Sequence, residues 1–202
     1  IAALEASGHA ADVEVRVVNS QLPVPHLMAE LNDATVISGY NGIWLAPREV
    51  PWPMPSPEEL ADALPNLKAF QMTSAGYNAL DVPDLAAKGI AVANNGGANA
   101  ISVAEHTLML LLALQHRLLE MHSHVQAGEW SSYAATPRRE LTGSTIGIVG
   151  FGIIGRPVAR KLAGFEVELL YTDTNPLPPG RDGELGATRV PLEELLTRSD
   201  VV

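Results

Sequence analysis

Short apolar runs separated by amphipathic stretches and turn residues recur along the chain. The runs predict six strands, at residues 13–18, 35–38, 67–72, 90–93, 145–149 and 167–171. Helices are predicted between them, for example at 81–88, where Gly89 is typical of a helix C-terminus. Ser56, Pro57 and Glu59 indicate a helix start, with a serine cap and a glutamate that completes a capping box. Strands that alternate with helices predict an α/β fold with parallel sheets covered on both faces.

The longest predicted helix covers residues 100–127 and ends at Gly128. Ser102 and Glu105 have the spacing of a capping box near its start. Its middle, residues 108–114, is apolar on every face, which predicts that this part of the helix is buried all round. Such burial is natural between two domains or at a subunit interface.

Two loops interrupt the alternation of strands and helices. Five prolines between residues 46 and 57 predict an extended surface loop. Trp52 lies within this loop, and we expect it to pin the loop rather than to contact a substrate. Residues 128–144 contain polar and turn residues and are expected to form a connection.

The composition of the 202 residues excludes several classes of function. The 13 Lys and Arg residues against 23 Asp and Glu residues give a net charge of −10. An acidic chain without a basic cluster is a poor binder of nucleic acids and anionic membranes. The absence of cysteine excludes disulfides, thiolate metal sites and cysteine nucleophiles. The 47% hydrophobic content allows a sizeable core, but the longest apolar stretch is too short to span a bilayer.

The most informative segment is the glycine-rich turn at residues 150–155. It follows the strand predicted at 145–149 and leads into a helix predicted at 153–163. In a dinucleotide-binding turn the first glycine permits the tight turn, the second lets the backbone approach a pyrophosphate, and the third lets the helix pack close to the strand. The helix N-terminus offers N–H groups and partial positive charge to the phosphates. The predicted cofactor contacts of this turn are Gly150, Phe151, Gly152, Ile153, Ile154 and Gly155.

Asp173 follows the second strand of this unit, 18 residues after Gly155. Its carboxylate can accept hydrogen bonds from the adenosine ribose and would repel a 2′-phosphate, which favours NAD over NADP. No arginine stands directly beside it, although Arg181 is nearby. Two other interpretations remain open at this point. The first is a methyltransferase, which also has an acid after its second strand. The second is a structural glycine-rich turn that binds no ligand.

Several segments together resemble the D-isomer-specific 2-hydroxyacid dehydrogenase family. They are LKAFQMTSAGY at 67–77, IAVAN at 90–94, NAISVAEH at 99–106, ELTG at 140–143 and the strand segment at 165–173. The resemblance implies an α/β protein with a flavodoxin-like substrate domain at 1–98. It also implies the first half of a Rossmann NAD-binding domain at 99–202, entered through the helix at 100–127. Members of the family are longer, so the chain is expected to be a fragment truncated at both ends.

The resemblance implies an NAD-dependent oxidoreductase that transfers a hydride between nicotinamide and a small D-2-hydroxy or 2-keto acid. Backbone N–H groups of Ser74, Ala75 and Gly76 would hold the substrate carboxylate. Asn99 would be either a substrate contact, as in the formate dehydrogenase branch, or a helix cap. The resemblance implies that the family's arginine, carboxylate and histidine lie beyond residue 202. No catalytic residue is therefore assigned, and we expect the 202 residues alone to be inactive.

Further expectations concern partners and alternatives. The resemblance implies a cytoplasmic homodimer that pairs through the long helix. An NAD-sensing corepressor of the same fold and a formate dehydrogenase are the alternative functions. No metal site is predicted, because His122 and His124 diverge on their helix. His106 is expected to be a core histidine rather than a cofactor contact.

Overall fold

A computed structural model describes residues 14–18, 24–38, 56–78, 80–130, 138–175, 177–178 and 183–202. The chain divides into two compact units, residues 1–96 and residues 97–202. Each unit has a three-stranded parallel sheet and a buried apolar cluster of its own. The predicted α/β class with parallel sheets is confirmed.

The sheet of the first unit is flanked by three short helices. The elements are α1 (Val24–Leu31), β1 (Val36–Ser38), α2 (Pro57–Ala63), β2 (Ala69–Gln71), α3 (Val82–Ala87) and β3 (Ala91–Ala93). The strands pair in parallel in the order β1-β2-β3. Phe70 on the central strand is fully buried, and it stands opposite Ile37 and Val92 in the register.

Local signals in this unit act as the sequence predicts. The Ser56 hydroxyl accepts a hydrogen bond from the Glu59 N–H at 3.1 Å, and the Glu59 carboxylate accepts one from the Ser56 N–H at 2.7 Å. This reciprocal pair is the predicted capping box at the start of α2. Gly89 follows α3 with φ of +74°, a left-handed conformation that favours glycine after a helix.

The second unit contains a β-α-β arrangement followed by a further strand. Its elements are α4 (Ala100–Gln115), α5 (Leu118–Gln126), β4 (Thr145–Val149), α6 (Gly155–Leu162), β5 (Glu168–Thr172), β6 (Ala187–Arg189) and α7 (Leu192–Arg198). Short 3₁₀ turns cover Ala163–Phe165 and Gly183–Leu185. The strands are parallel in the order β4-β5-β6, and Val201 forms a parallel bridge to Ile146 of β4.

The strand predicted at 13–18 is wrong for the residues described, because residues 14–18 belong to no helix or strand. Their apolar and charged residues alternate, but a strand also needs a neighbour for its backbone groups. The segment is held instead by Arg16, whose guanidinium pairs with Asp33 at 2.9 Å and donates to the Glu30 carbonyl at 2.8 Å.

The single helix predicted at 100–127 is also wrong, because it breaks into α4 and α5. Arg117 between them adopts φ of +50°, which is unusual for a residue with a side chain. The Gln115 carbonyl at the end of α4 accepts a hydrogen bond from the Arg139 N–H at 3.2 Å. A segment distant in the sequence therefore donates to a carbonyl that would otherwise accept a hydrogen bond within a continuing helix. The helix starts at Ala100, so Ser102 and Glu105 form no capping box.

The burial predicted for the middle of this helix is not observed. Met109, Leu110 and Leu114 are 52%, 48% and 76% exposed. His106, expected in the core, is exposed as well. The helix contributes Ala104, fully buried, to the core of the second unit, and Leu108, Leu111 and Leu112 pack against this core partly buried. Part of the apolar stretch at 108–114 therefore forms an exposed apolar surface in the single chain.

Some predictions fall elsewhere. Trp52 and the proline-rich residues 46–55 lie outside the described residues, as does Arg181. Within the described ranges, the helices are too short or too polar to traverse a bilayer.

Candidate functional site

The backbone turns sharply where β4 ends. Gly150 adopts φ of +92°, which glycine tolerates at little cost. Its N–H donates to the Thr172 carbonyl at 2.8 Å, which ties the turn to the end of β5. Gly155 then starts α6 directly against the turn, because a Cβ there would lie 2.2 Å from the Gly150 carbonyl oxygen. These two glycines have the geometry expected for a tight turn and a closely packed helix.

Gly152 lies on the open side of the turn. Apart from the adjacent residues, no described atom lies within 4 Å of the position that its Cβ would take. The Arg156 N–H donates to the Gly152 carbonyl at 3.2 Å in the first turn of α6. The N–H groups of Ile153 and Ile154 come before this bond and therefore have no acceptor within the helix. Pro157 has no N–H to leave unbonded in the first turn. Open space beside helix-terminal N–H groups is the arrangement that binds phosphates.

Phe151 belongs to the core rather than to the open side of the turn. Its ring is 2% exposed and stacks on Tyr171, with ring centroids 4.0 Å apart and an interplanar angle of 22°. Its N–H donates to the Asp173 carboxylate at 2.6 Å. Phe151 therefore holds the acid in place, and its N–H is already used within the protein.

Asp173 lies just after β5 and faces the turn. One carboxylate oxygen accepts from the Asn175 N–H at 2.7 Å, and the other accepts from the Phe151 N–H at 2.6 Å. These two bonds, with smaller contributions from the positive charges of Arg189 and Arg156, lower the pKa of Asp173 below its ordinary 3.8. The carboxylate is therefore ionised at neutral pH, and each oxygen can accept a further hydrogen bond from a ribose hydroxyl.

The glycine motif alone does not identify two arginines that lie beside this acid. Arg189 on β6 donates to the Asp173 backbone carbonyl at 3.1 Å, and Arg156 on α6 donates through Nε to the Gly152 carbonyl at 3.0 Å. Arg156 directly follows Gly155, so its position in the sequence is a usable signal. Arg189 reaches the site only through the pairing of β6 with β5, which the sequence does not reveal.

The predicted substrate loop follows the end of β2 in the first unit. Each of its three carbonyls accepts a hydrogen bond: Ser74 from the Asn95 N–H at 3.0 Å, Ala75 from the Asn94 side-chain amide at 2.7 Å, and Gly76 from the Ser74 hydroxyl at 2.9 Å. Because the peptide unit is planar, fixing a carbonyl also fixes the direction of the next N–H. These bonds therefore orient the N–H groups of Ala75, Gly76 and Tyr77. Asn94 is a residue that the sequence interpretation missed.

Asn99 is the N-cap residue of α4 in the second unit. Its side chain makes no capping hydrogen bond, and the residue is exposed. The capping alternative is therefore not realised by its amide group.

The histidines form no metal centre in the part of the chain that the structure describes. His124 Nδ1 lies 2.8 Å from the Glu129 carboxylate. No group of three metal-ligating His, Asp or Glu side chains comes together among the described residues.

A parallel β-α-β unit whose glycine turn faces an acid after the second strand defines a dinucleotide-binding domain of the Rossmann type. Comparison with known proteins narrows this class. Residues 108–202 match the family model for the D-isomer specific 2-hydroxyacid dehydrogenase, NAD binding domain. The chain belongs to the D-isomer-specific 2-hydroxyacid dehydrogenase family. The prediction of NAD as the cofactor is confirmed at the level of this domain.

The curated relatives that are similar to this chain have two different activities. The chain is 42% identical over 126 residues to a formate dehydrogenase of Chaetomium thermophilum, a match that covers 61% of this chain and 34% of that protein. It is 35% identical over 150 residues to a glyoxylate reductase of Thermococcus onnurineus, covering 71% of this chain and 45% of the relative. The chain thus spans less than half the length of these curated relatives.

The chain is also similar to solved structures. The crystal structure of D-lactate dehydrogenase from Aquifex aeolicus, complexed with NAD and lactic acid, superposes with a TM-score of 0.70. The sequences are 28% identical, and the match covers 98% of this chain and 55% of that chain.

Proposed function

We propose that the protein to which this chain belongs is an NAD-dependent oxidoreductase that transfers a hydride between nicotinamide and a small D-2-hydroxy or 2-keto acid. The observation that carries the proposal is the docking of the ionised Asp173 onto the Phe151 N–H, beside the open face of Gly152. This arrangement offers an acceptor for the adenosine ribose and N–H donors for a pyrophosphate next to each other. The coenzyme supplies the hydride chemistry, and the protein binds and orients it.

The residues divide into two proposed roles. In the second unit, Gly150, Gly152 and Gly155 shape the turn, the N–H groups of Ile153 and Ile154 meet the pyrophosphate, and Asp173 binds the ribose. Phe151 contributes by holding Asp173. In the first unit, the loop of Ser74, Ala75 and Gly76 meets the substrate carboxylate through its oriented N–H groups.

Titration calorimetry of the 202-residue chain with NADH tests the coenzyme half of this proposal. We expect saturable binding that Asp173→Ala weakens by about tenfold or more, because two hydrogen bonds to a charged acceptor are lost. Exposed Glu193 gives a matched control, since Glu193→Ala removes a carboxylate from the same unit but at the start of α7 rather than at the turn. An absence of heat with the folded wild-type chain would contradict the proposal.

The substrate half is tested with the complete protein, because the chain spans less than half the length of its curated relatives. We expect NADH oxidation with glyoxylate, hydroxypyruvate or pyruvate, and no turnover by the 202 residues alone. NADH binding without turnover of any of these acids would instead support an NAD-sensing binding protein.

Formate oxidation is a second candidate, favoured by two observations. The chain shares 42% identity with a formate dehydrogenase over 126 residues. Asn99, the proposed substrate contact of that branch, leaves its amide uninvolved in capping. NAD reduction by formate, lost in Asn99→Ala while NADH binding persists, would select this candidate over the first.

We also propose that the complete protein is a homodimer that pairs through α4 and α5. The support is the exposed apolar side chains on these helices, Met109, Leu110, Leu114, Leu118 and Leu119. Contiguous exposed apolar surface marks interaction sites. Sedimentation of the longer protein should give a dimer, and Leu114→Glu should yield monomer; a wild-type monomer would contradict the pairing. A cytoplasmic location stays a prediction.

A further inference from the structure

One side chain at the glycine turn has a charge that the proposed roles do not use. Arg156 stands in the first turn of α6, and its Nε donates to the Gly152 carbonyl at 3.0 Å. Long side chains on a helix point back toward the N-terminus, which agrees with this contact. The bond holds the guanidinium group against the turn, and no described residue accepts a hydrogen bond from its two terminal nitrogens.

The turn itself provides no other positive side chain. Residues 150–155 contain only glycine, phenylalanine and isoleucine. The charge of Arg156 reaches Asp173, whose pKa it helps to lower. Among the described residues, Arg156 forms no ion pair with a carboxylate, although Glu184 lines the same cavity. The Nε hydrogen bond therefore holds a cation against the phosphate-binding turn, and its charge acts on Asp173.

We propose that Arg156 binds the 5′-diphosphate of the coenzyme through its terminal guanidinium nitrogens. This inference rests on the proposed function, because it assigns a contact within the same coenzyme site. A guanidinium group matches the oxygens of a phosphate with two parallel donors. The 5′-diphosphate is favoured over a 2′-phosphate, because a 2′-phosphate would lie against the ionised Asp173.

Arg160 provides a matched control. It is one helical turn further along α6, carries the same charge and, together with Arg156, lines a cavity of about 170 Å³. Among the described residues, its side chain forms no hydrogen bond with the glycine turn. Arg156→Gln and Arg160→Gln therefore remove the same charge at different distances from the turn, and Arg156→Lys retains the charge without the paired donors.

The experiment measures the affinity of the full 202-residue chain for NADH, ADP, adenosine and 2′-AMP by titration calorimetry. We expect Arg156→Gln to weaken NADH and ADP binding by about tenfold, the typical effect of one or two charge-assisted hydrogen bonds, and to leave adenosine affinity unchanged. Arg156→Lys should recover part of the loss. Arg160→Gln should change ADP affinity by less than about threefold.

Three outcomes would overturn the inference: equal losses of ADP affinity in Arg156→Gln and Arg160→Gln, an equal loss for adenosine, or a loss confined to 2′-AMP. Its failure is distinguishable from failure of the proposed function. If the wild-type chain binds neither NADH nor ADP, both are wrong. If the wild-type chain binds NADH and Arg156→Gln binds it equally well, only the role of Arg156 is wrong. Thermal unfolding of each variant verifies that the fold is retained.

Discussion

The α-carbon of Gly155 lies so close to the Gly150 carbonyl that a Cβ on Gly155 would be 2.2 Å from the carbonyl oxygen. The obstacle is backbone rather than a flexible side chain, so Gly155→Ala must displace α6 or the turn. We expect it to destabilise the chain by about 1–3 kcal/mol, the usual cost of overpacking. Thermal or denaturant unfolding measures the effect.

Gly164 is the control for this substitution. It follows α6, and its Cβ position has no described atom within 4 Å beyond the adjacent residues. Gly164→Ala should therefore leave the unfolding midpoint close to that of the wild type. A Gly155→Ala chain as stable as Gly164→Ala would contradict the close packing of helix and turn.

Gly152→Ala should separate binding from stability. The Cβ position at Gly152 is open, so the added methyl group meets nothing in the unliganded protein. It would project into the space where the backbone approaches a pyrophosphate. We expect unfolding to be nearly unchanged and NADH affinity to fall by about tenfold or more. Undiminished affinity would mean that the phosphates do not approach this face.

The parts of this site that the sequence predicts are those specified by local backbone demands. Gly150 needs a positive φ, Gly155 needs close approach, and Asp173 follows from the length of one β-α-β unit. Each requirement is met by a residue type at a fixed spacing. The capping box of Ser56 and Glu59 is predictable for the same reason.

The parts that escape prediction depend on contacts between distant segments. The break after Gln115 uses the N–H of Arg139, and no proline or glycine marks it. Arg189 reaches Asp173 through strand pairing, and Asn94 reaches the Ala75 carbonyl across the end of the first sheet. Hydrophobic periodicity describes one segment at a time and contains no information on such partners. It also cannot tell whether an apolar face is covered, as the exposed face of α4 demonstrates.

Ser199→Ala should stabilise the second unit. The Ser199 hydroxyl is buried and has no hydrogen-bond partner among the described residues. It packs against β4, where a Cβ on Gly147 would lie 2.4 Å from its oxygen. Removing an unsatisfied buried hydroxyl while keeping the Cβ should raise the free energy of unfolding by about 1 kcal/mol. Ser199→Thr adds a methyl group at the same place and should be destabilising. A lower unfolding midpoint for Ser199→Ala would indicate that the hydroxyl has a partner after all.

Asp173 should make the fold sensitive to acid. Its folded-state pKa is lowered from the ordinary 3.8 by the N–H groups of Asn175 and Phe151. A lowered pKa means that the ionised form stabilises the fold, fully above the ordinary value and less as the pH falls through the folded value. Comparing the wild type with Asp173→Asn, we expect the difference in unfolding free energy to be constant near neutral pH. It should shrink below about pH 5. A difference that does not vary with pH would mean that the carboxylate has no such bonds in solution.

Asp173→Ala should alter coenzyme choice as well as affinity. The wild-type carboxylate can accept hydrogen bonds from the ribose hydroxyls of NAD and repels the 2′-phosphate of NADP. In the variant the hydrogen bonds are lost and the repulsion is removed, while Arg189 and Arg156 keep their positive charges beside the site. We expect weaker NADH binding and a ratio of NADPH to NADH affinity that rises by about tenfold or more. Calorimetry with both coenzymes measures the ratio. Asp200→Ala is the control, because Asp200 lies at the start of β4 and the glycine turn lies beyond the other end of this strand. An unchanged ratio would mean that some other group, not this carboxylate, decides between the two coenzymes.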